Sequence, residues 1–330
     1  MSKKSTAYRW TLTIALSVLL IVALVVSLFI GASTHSPQSI IQAFHDRNWD
    51  APALTTVTYI RLPRGILALV IGAALAVSGA IMQLVTRNPL ASPQTLGINA
   101  TAALAMVAYI VLGWNIGSGV WPAFFGACLG GFAVMLFSLG SRRGPVVLAL
   151  AGMAVHLLCT ALIQALAVLN ERAVDVVFWM NGSLAGAQWD KVRLAVPLVT
   201  AMLLLAIACS RSIQALGLGR EIVTGLGIPY LRTISGATIL VTILAGTSVA
   251  AAGPIGFVGL IVPHVVRALI GRAPMWEFPL CALVGAILLV LADIGARIIM
   301  WPSETPVGVL TALIGAPVFL FLARAVGRKK

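Results

Sequence analysis

The stretch GILALVIGAALAVSGAIMQLVTRNPLASPQTL, Gly65–Leu96, decides how this chain folds. It opens as an unbroken run of small and apolar residues, is interrupted by Arg87-Asn88-Pro89, and then starts a second apolar segment. A hydrocarbon core of roughly 30 Å is crossed by about 20 such residues in a helix. Glycine and alanine at close spacing let neighbouring helices touch backbone to backbone. The run predicts one membrane-crossing helix inside a packed multi-helix bundle, a setting for transport or signalling rather than soluble chemistry.

The rest of the chain has the same character. Of 330 residues, 60% are hydrophobic and 9% charged, whereas a soluble exterior needs roughly a quarter charged residues. No long stretch is free of an apolar run, so one transmembrane domain over residues 1–330 is expected. The runs are continuous, unlike the short alternating segments of a membrane β-barrel. Cys128, Cys159, Cys209 and Cys281 lie singly in apolar runs, with no disulfide or metal-site spacing. Lys3, Lys4 and Arg9 precede the apolar run Leu12–Ile30, which is longer than a signal-peptide core and reads as a retained first helix.

Breaks between runs predict ten transmembrane helices: 11–31, 61–84, 96–113, 120–139, 146–169, 192–209, 233–252, 256–269, 278–298 and 306–323. The first half spans 11–169 and the second 192–330. Between them lies an outer loop, 170–191, whose Trp179 and Trp189 suit the headgroup level. Thr34–Thr56 reads as an exposed loop with a short surface helix. With both termini inside, 15 of the 22 Lys and Arg residues fall on the cytoplasmic side, as the positive-inside bias requires. The net charge of +13 is then a topology signal, and no soluble basic domain exists to bind nucleic acid. A faint repeat at an offset of 174 residues pairs Gly72, Gly79, Ile81, Pro89 and Gly97 with Gly246, Gly253, Ile255, Pro263 and Gly271. The two halves would be inverted copies, as in many transporters.

Three groups of residues stand out. Arg61, Arg64 and Arg297 sit at outer helix ends, where arginine either snorkels to headgroups or grips a carboxylate with its planar fork. Ala215–Tyr230 is too broken by glycine to span and too apolar for free solvent. Two short helices joined at Gly217–Gly219 would bury Leu216, Ile222, Val223 and Leu226 against headgroups or a partner, with Gly227 near the end of the segment. Met153, His156, Thr160 and Gln164 recur at helical spacing and share roughly one face, fit either for a passage or for packing. Asp293 is alone deep in an apolar run and needs a partner, which Arg297 at i+4 can supply.

RLPR (Arg61–Arg64), GAALAVSG (Gly72–Gly79), NPLASPQTLGIN (Asn88–Asn99), GPIGFVGLIVPH (Gly253–His264), LADIGAR (Leu291–Arg297) and ETPVGVLTALIGAPVF (Glu304–Phe319) occur in that order. Together they closely resemble the FecCD family, permease subunits of bacterial ABC importers for iron-siderophore complexes, haem and vitamin B12. The resemblance runs from about residue 56 to the C-terminus. It implies an all-α, BtuC-like bundle that pairs with itself or a homologous permease. Two cytoplasmic ATPase subunits, using ATP and Mg, would bind beneath it. A periplasmic or lipid-anchored binding protein would dock outside, and the location would be the bacterial inner membrane. No cofactor or metal is implied for the chain itself. The transported ligand would be an intact Fe(III) chelate, with the 88–106 block and Ser92 most like the ferric dicitrate permeases.

The resemblance also gives the three groups roles. Arg61, Arg64 and Arg297 match positions that receive glutamates of the binding protein. The 210–232 segment, with Leu216, Gly217, Gly219, Ile222, Val223, Leu226 and Gly227, matches the ATPase-coupling element. The fifth helix, with Met153, His156, Thr160 and Gln164, lines the path, and Ser141 and Gly144 lie near its inner gate. The chain has no Gly-x4-Gly-Lys-Ser/Thr loop, so hydrolysis is expected in the partner. Haem and cobalamin permeases of the same family are alternatives. An ion-coupled transporter would need more intramembrane acids, and a membrane enzyme would need clustered polar residues.

Overall fold

The structure, a computed structural model, describes residues 5–31, 36–113, 119–138, 144–169, 179–271, 273–301 and 303–327. All regular structure among them is helical. In chain order the helices are α1 (Thr6–Phe29), α2 (Pro37–His45), α3 (Pro52–Thr56), α4 (Leu62–Thr86), α5 (Ile98–Val111), α6 (Val120–Ser138), α7 (Gly144–Leu169) and α8 (Trp189–Ala208). They continue with α9 (Ser210–Ala215), α10 (Arg220–Gly225), α11 (Tyr230–Ala252), α12 (Val258–Ile270), α13 (Pro274–Ile298) and α14 (Val307–Gly327).

Each of the ten apolar runs marked in the sequence carries a helix. Six have the length and composition to cross a membrane: α1, the continuous Pro52–Thr86 rod, α7, α8, α11 and α13. Four more, α5, α6, α12 and α14, are apolar and have shorter apolar cores. The expected surface helix before the second crossing is α2, entered through a Ser36 cap and Pro37. The exposed loop is shorter than expected, because α3 runs through a π-turn at Val57–Arg61 straight into α4.

α4 is the axle of the bundle, and α8, α11, α12 and α13 pack around it. Almost every residue from Pro63 to Val85 is buried. The reason is the small-residue pattern of its sequence. A Cβ on Gly72 would collide with the backbone of Gly285 in α13, and one on Gly79 with Gly259 in α12. Backbones that close gain packing that larger side chains would prevent. α1 lies outside this core and exposes most of its length.

The 174-residue offset matches local structure at some of its positions and not at others. Gly79 and Ile81 lie inside α4, whereas Gly253 and Ile255 lie in the break between α11 and α12. Pro89 is in a turn, while Pro263 is inside α12. Two pairs do correspond: Gly72 and Gly246 are both buried inside long helices, and Gly97 and Gly271 both stand at positive φ (69° each) after a helical segment. The indole N–H of Trp189, a half-buried ring packed against the core, donates to the Thr58 carbonyl at 3.1 Å. Trp179 is half-buried against the bundle.

Candidate functional site

At the end of the bundle where α4 begins, three guanidinium groups converge inside the protein. Arg61, Arg64 and Arg297 are only 2%, 4% and 2% exposed. Arg64 Nε donates to both Asp293 oxygens, at 2.9 and 3.2 Å, and its Nη1 donates to Glu304 at 2.6 Å. Arg297 Nη2 donates to the same Asp293 carboxylate. Its Nη1 donates to the carbonyls of Ser27 and Ile30, both at 2.9 Å, and Arg61 Nη1 donates to the Leu28 carbonyl at 2.8 Å.

The last carbonyls of a helix lack partners of their own and carry partial negative charge. Arg61 and Arg297 thus cap the C-terminus of α1, while Arg64, Asp293 and Glu304 tie α4 to α13 and to the segment before α14. Arg61, Arg64 and Arg297, which the resemblance matched to partner-docking positions, are buried and donate to groups inside the fold, while Arg297 Nε has no hydrogen-bond partner among the described residues. Sequence spacing paired Asp293 with Arg297 correctly but missed Arg64, which is 229 positions away. That partner has no signal at local spacing.

At the other end, the segment after α8 folds as two short helices, as expected. α9 continues through a 3-10 turn, Leu216–Leu218, and Gly219 at φ 97° makes the joint before α10. The expected apolar face divides. Leu216 and Val223 are buried in the chain's own bundle, and Gly217 packs against Leu84 of α4. Ile222 and Leu226 remain 54% and 61% exposed, joined by exposed Leu218. Leu216 and Val223 are therefore anchors, and the outward apolar surface is Leu218, Ile222 and Leu226. Gly227, at φ 76°, turns the chain towards α11.

α7 packs on α5 and α6 through one side, with Gly152 pressed against the backbone of Thr95. Met153, His156 and Gln164 are exposed, along with Leu157. Thr160 is half-buried and its hydroxyl donates to the His156 carbonyl at 2.8 Å. Gly144 opens α7, and Ser141 lies outside the described residues. Among the described residues, no three His, Cys, Asp or Glu side chains gather where they could hold a metal.

The fold and these sites define a class: a polytopic helical bundle with a glycine-packed axle, an ion-paired end and a broken apolar element at the opposite end. The chain belongs to the FecCD transport family, which it matches over residues 19–325. It is 44% identical over 329 residues to the Fe(3+)-citrate import system permease protein YfmD of Bacillus subtilis, covering 98% of this chain and 97% of that one. It is 41% identical over 272 residues to the hemin transport system permease protein HmuU of Yersinia pestis, covering 80% and 81%. Among solved structures, a metal-chelate type ABC transporter in an inward-facing conformation superposes with a TM-score of 0.82 at 30% identity, covering 96% of this chain and 99% of that one.

Proposed function

We propose that this chain is the membrane-spanning permease of an ATP-driven importer that carries an intact ferric chelate, iron citrate foremost, into the cytoplasm. The observation that carries the reading is the end-to-end likeness to an iron-citrate permease. In this reading the chain sits in the bacterial inner membrane with both termini cytoplasmic, and two permeases pair around the path. The exposed face of α7, with Met153, His156 and Gln164, supports a weakly binding lining, which suits release more than tight capture would. Specificity then resides in a separate binding protein.

Two ATPase subunits engage the cytoplasmic α9–α10 element through Leu218, Ile222 and Leu226. Apolar contact of this kind transmits rigid-body motion without depending on salt. The ion-paired arginine cluster braces the outer end instead of receiving the binding protein directly. A haem cargo is the second reading, favoured by the likeness to a hemin permease.

Proteoliposomes test the function. The permease alone is expected to show neither ATP hydrolysis nor uptake. Adding its ATPase and binding protein should produce ATP-dependent uptake of radiolabelled iron citrate, compared against hydroxamate and catecholate chelates, haem and cobalamin. ATP hydrolysis by the permease alone would end the reading. Uptake of another chelate without iron citrate would replace the cargo and leave the permease assignment standing.

A further inference from the structure

A recess of about 640 Å³ opens where α4 ends, between the Arg87–Pro89 turn, α9 with its 3-10 extension, and the α12–α13 connection. Three arginines line it, Arg87, Arg211 and Arg267, against one carboxylate, Glu277. Arg267 takes that carboxylate at 2.7 Å and places its Nη1 on Gln83 Oε1, also at 2.7 Å. Among the described residues no carboxylate reaches ion-pair distance of Arg87 or Arg211. Arg211 reaches only the soft sulfur of Met275, at 3.8 Å. The recess therefore carries two positive charges without a protein counter-charge.

Arg87 is held there by backbone geometry. It ends α4 at φ 53°, a left-handed position that usually falls to glycine or asparagine. Its guanidinium lies against Gly219, where an added Cβ would stand 3.0 Å from Arg87 Nη1. A strained arginine whose head fits over a glycine is a feature that packing alone does not require.

Apart from Gln83 and Gln214, the remaining wall is apolar, including Leu84, Ala215 and Ala273. The level in the membrane follows from the neighbouring aromatics. Trp276, next to Met275, meets Trp10 edge to face at 5.0 Å, and Trp10 is exposed. Indole rings of this kind collect at the headgroup layer. An anion-binding recess with a greasy wall at that depth suits an amphipathic anion.

We propose that this recess binds the headgroup of an anionic phospholipid, its phosphate seated between Arg87 and Arg211. The same phosphate chemistry is offered by free inorganic phosphate, and the site's apolar wall favours the lipid. The proposal is independent of which chelate the chain carries.

Native mass spectrometry of the full chain in detergent tests it, with phosphatidylglycerol, phosphatidylcholine and inorganic phosphate as probes. Wild-type protein is expected to retain phosphatidylglycerol over phosphatidylcholine and to keep it when inorganic phosphate is added. The double variant Arg87→Asn/Arg211→Gln should lose that preference by about thirtyfold, from two surface-level charges. Asparagine tolerates the left-handed backbone and both side chains are exposed, so folding should persist. Arg232→Gln, an exposed arginine that does not line the recess, should keep the preference. Equal retention of both lipids, an unaffected double variant, an equal loss in Arg232→Gln, or displacement by inorganic phosphate would each overturn the proposal.

Discussion

Asp293 neutralises two buried guanidinium groups at once, which makes it the residue on which the ion-paired end depends. Replacing it with asparagine leaves Arg64 and Arg297 facing each other with less compensation. Removing one partner of a buried pair costs about 3–5 kcal/mol, so Asp293→Asn should lower the thermal midpoint of the detergent-purified protein by many degrees. Glu304 is partly exposed, with 28% of its side-chain surface accessible, and water screens it. Glu304→Gln should cost about 1 kcal/mol or less. Scanning fluorimetry of the two variants checks the ordering, and equal midpoints would contradict it. The same burial changes what reversing the arginines means. Arg61→Glu would strip the cap from α1 and bury an acid, so its defect would be one of assembly before it was one of partner recognition.

At the level of the helix, tight contacts dictate which glycines matter. Gly79 touches the backbone of Gly259, whereas an added Cβ at Gly236 in α11 meets nothing within 4 Å. Gly79→Ala should destabilise by about 1–3 kcal/mol through overpacking. Gly236→Ala should be neutral or stabilising by up to about 1 kcal/mol, since alanine loses less backbone freedom. Thermal unfolding in detergent compares them. The α9–α10 element is divided in the same way. Ile222→Ser with Leu226→Ser should weaken ATPase capture while leaving membrane yield unchanged, because both side chains face outward. Leu216→Ser should lower yield instead, removing an apolar side chain worth about 1.5–3 kcal/mol when buried. Pull-down of the ATPase by tagged permease, with yield as the control, distinguishes the two, and undiminished capture by the outward double variant would move the coupling contact elsewhere.

For the whole molecule, the exposed side of α7 is the test of where cargo passes. His156→Trp and Gln164→Trp add bulk to that side without entering the core. Each should cut uptake about tenfold, a barrier change of about 1.4 kcal/mol, while ATPase capture stays normal. Unchanged uptake would return this face to lipid or helix contact. The number and placement of apolar segments, the helical class and the two-part α9–α10 element were legible in the sequence, because segment length, glycine breaks and charge bias act locally along the chain. Arg297 beside Asp293 was legible for the same reason, as an i, i+4 pair. Tertiary structure alone decided that Arg64 completes the cluster, that Arg61 and Arg297 cap α1, that Leu216 turns in while Ile222 turns out, and that Arg87 and Arg211 share a recess. Periodicity tells which residues share a helix face. Which neighbour covers that face depends on packing between segments far apart in the chain, and a buried charge takes whichever partner that packing brings near.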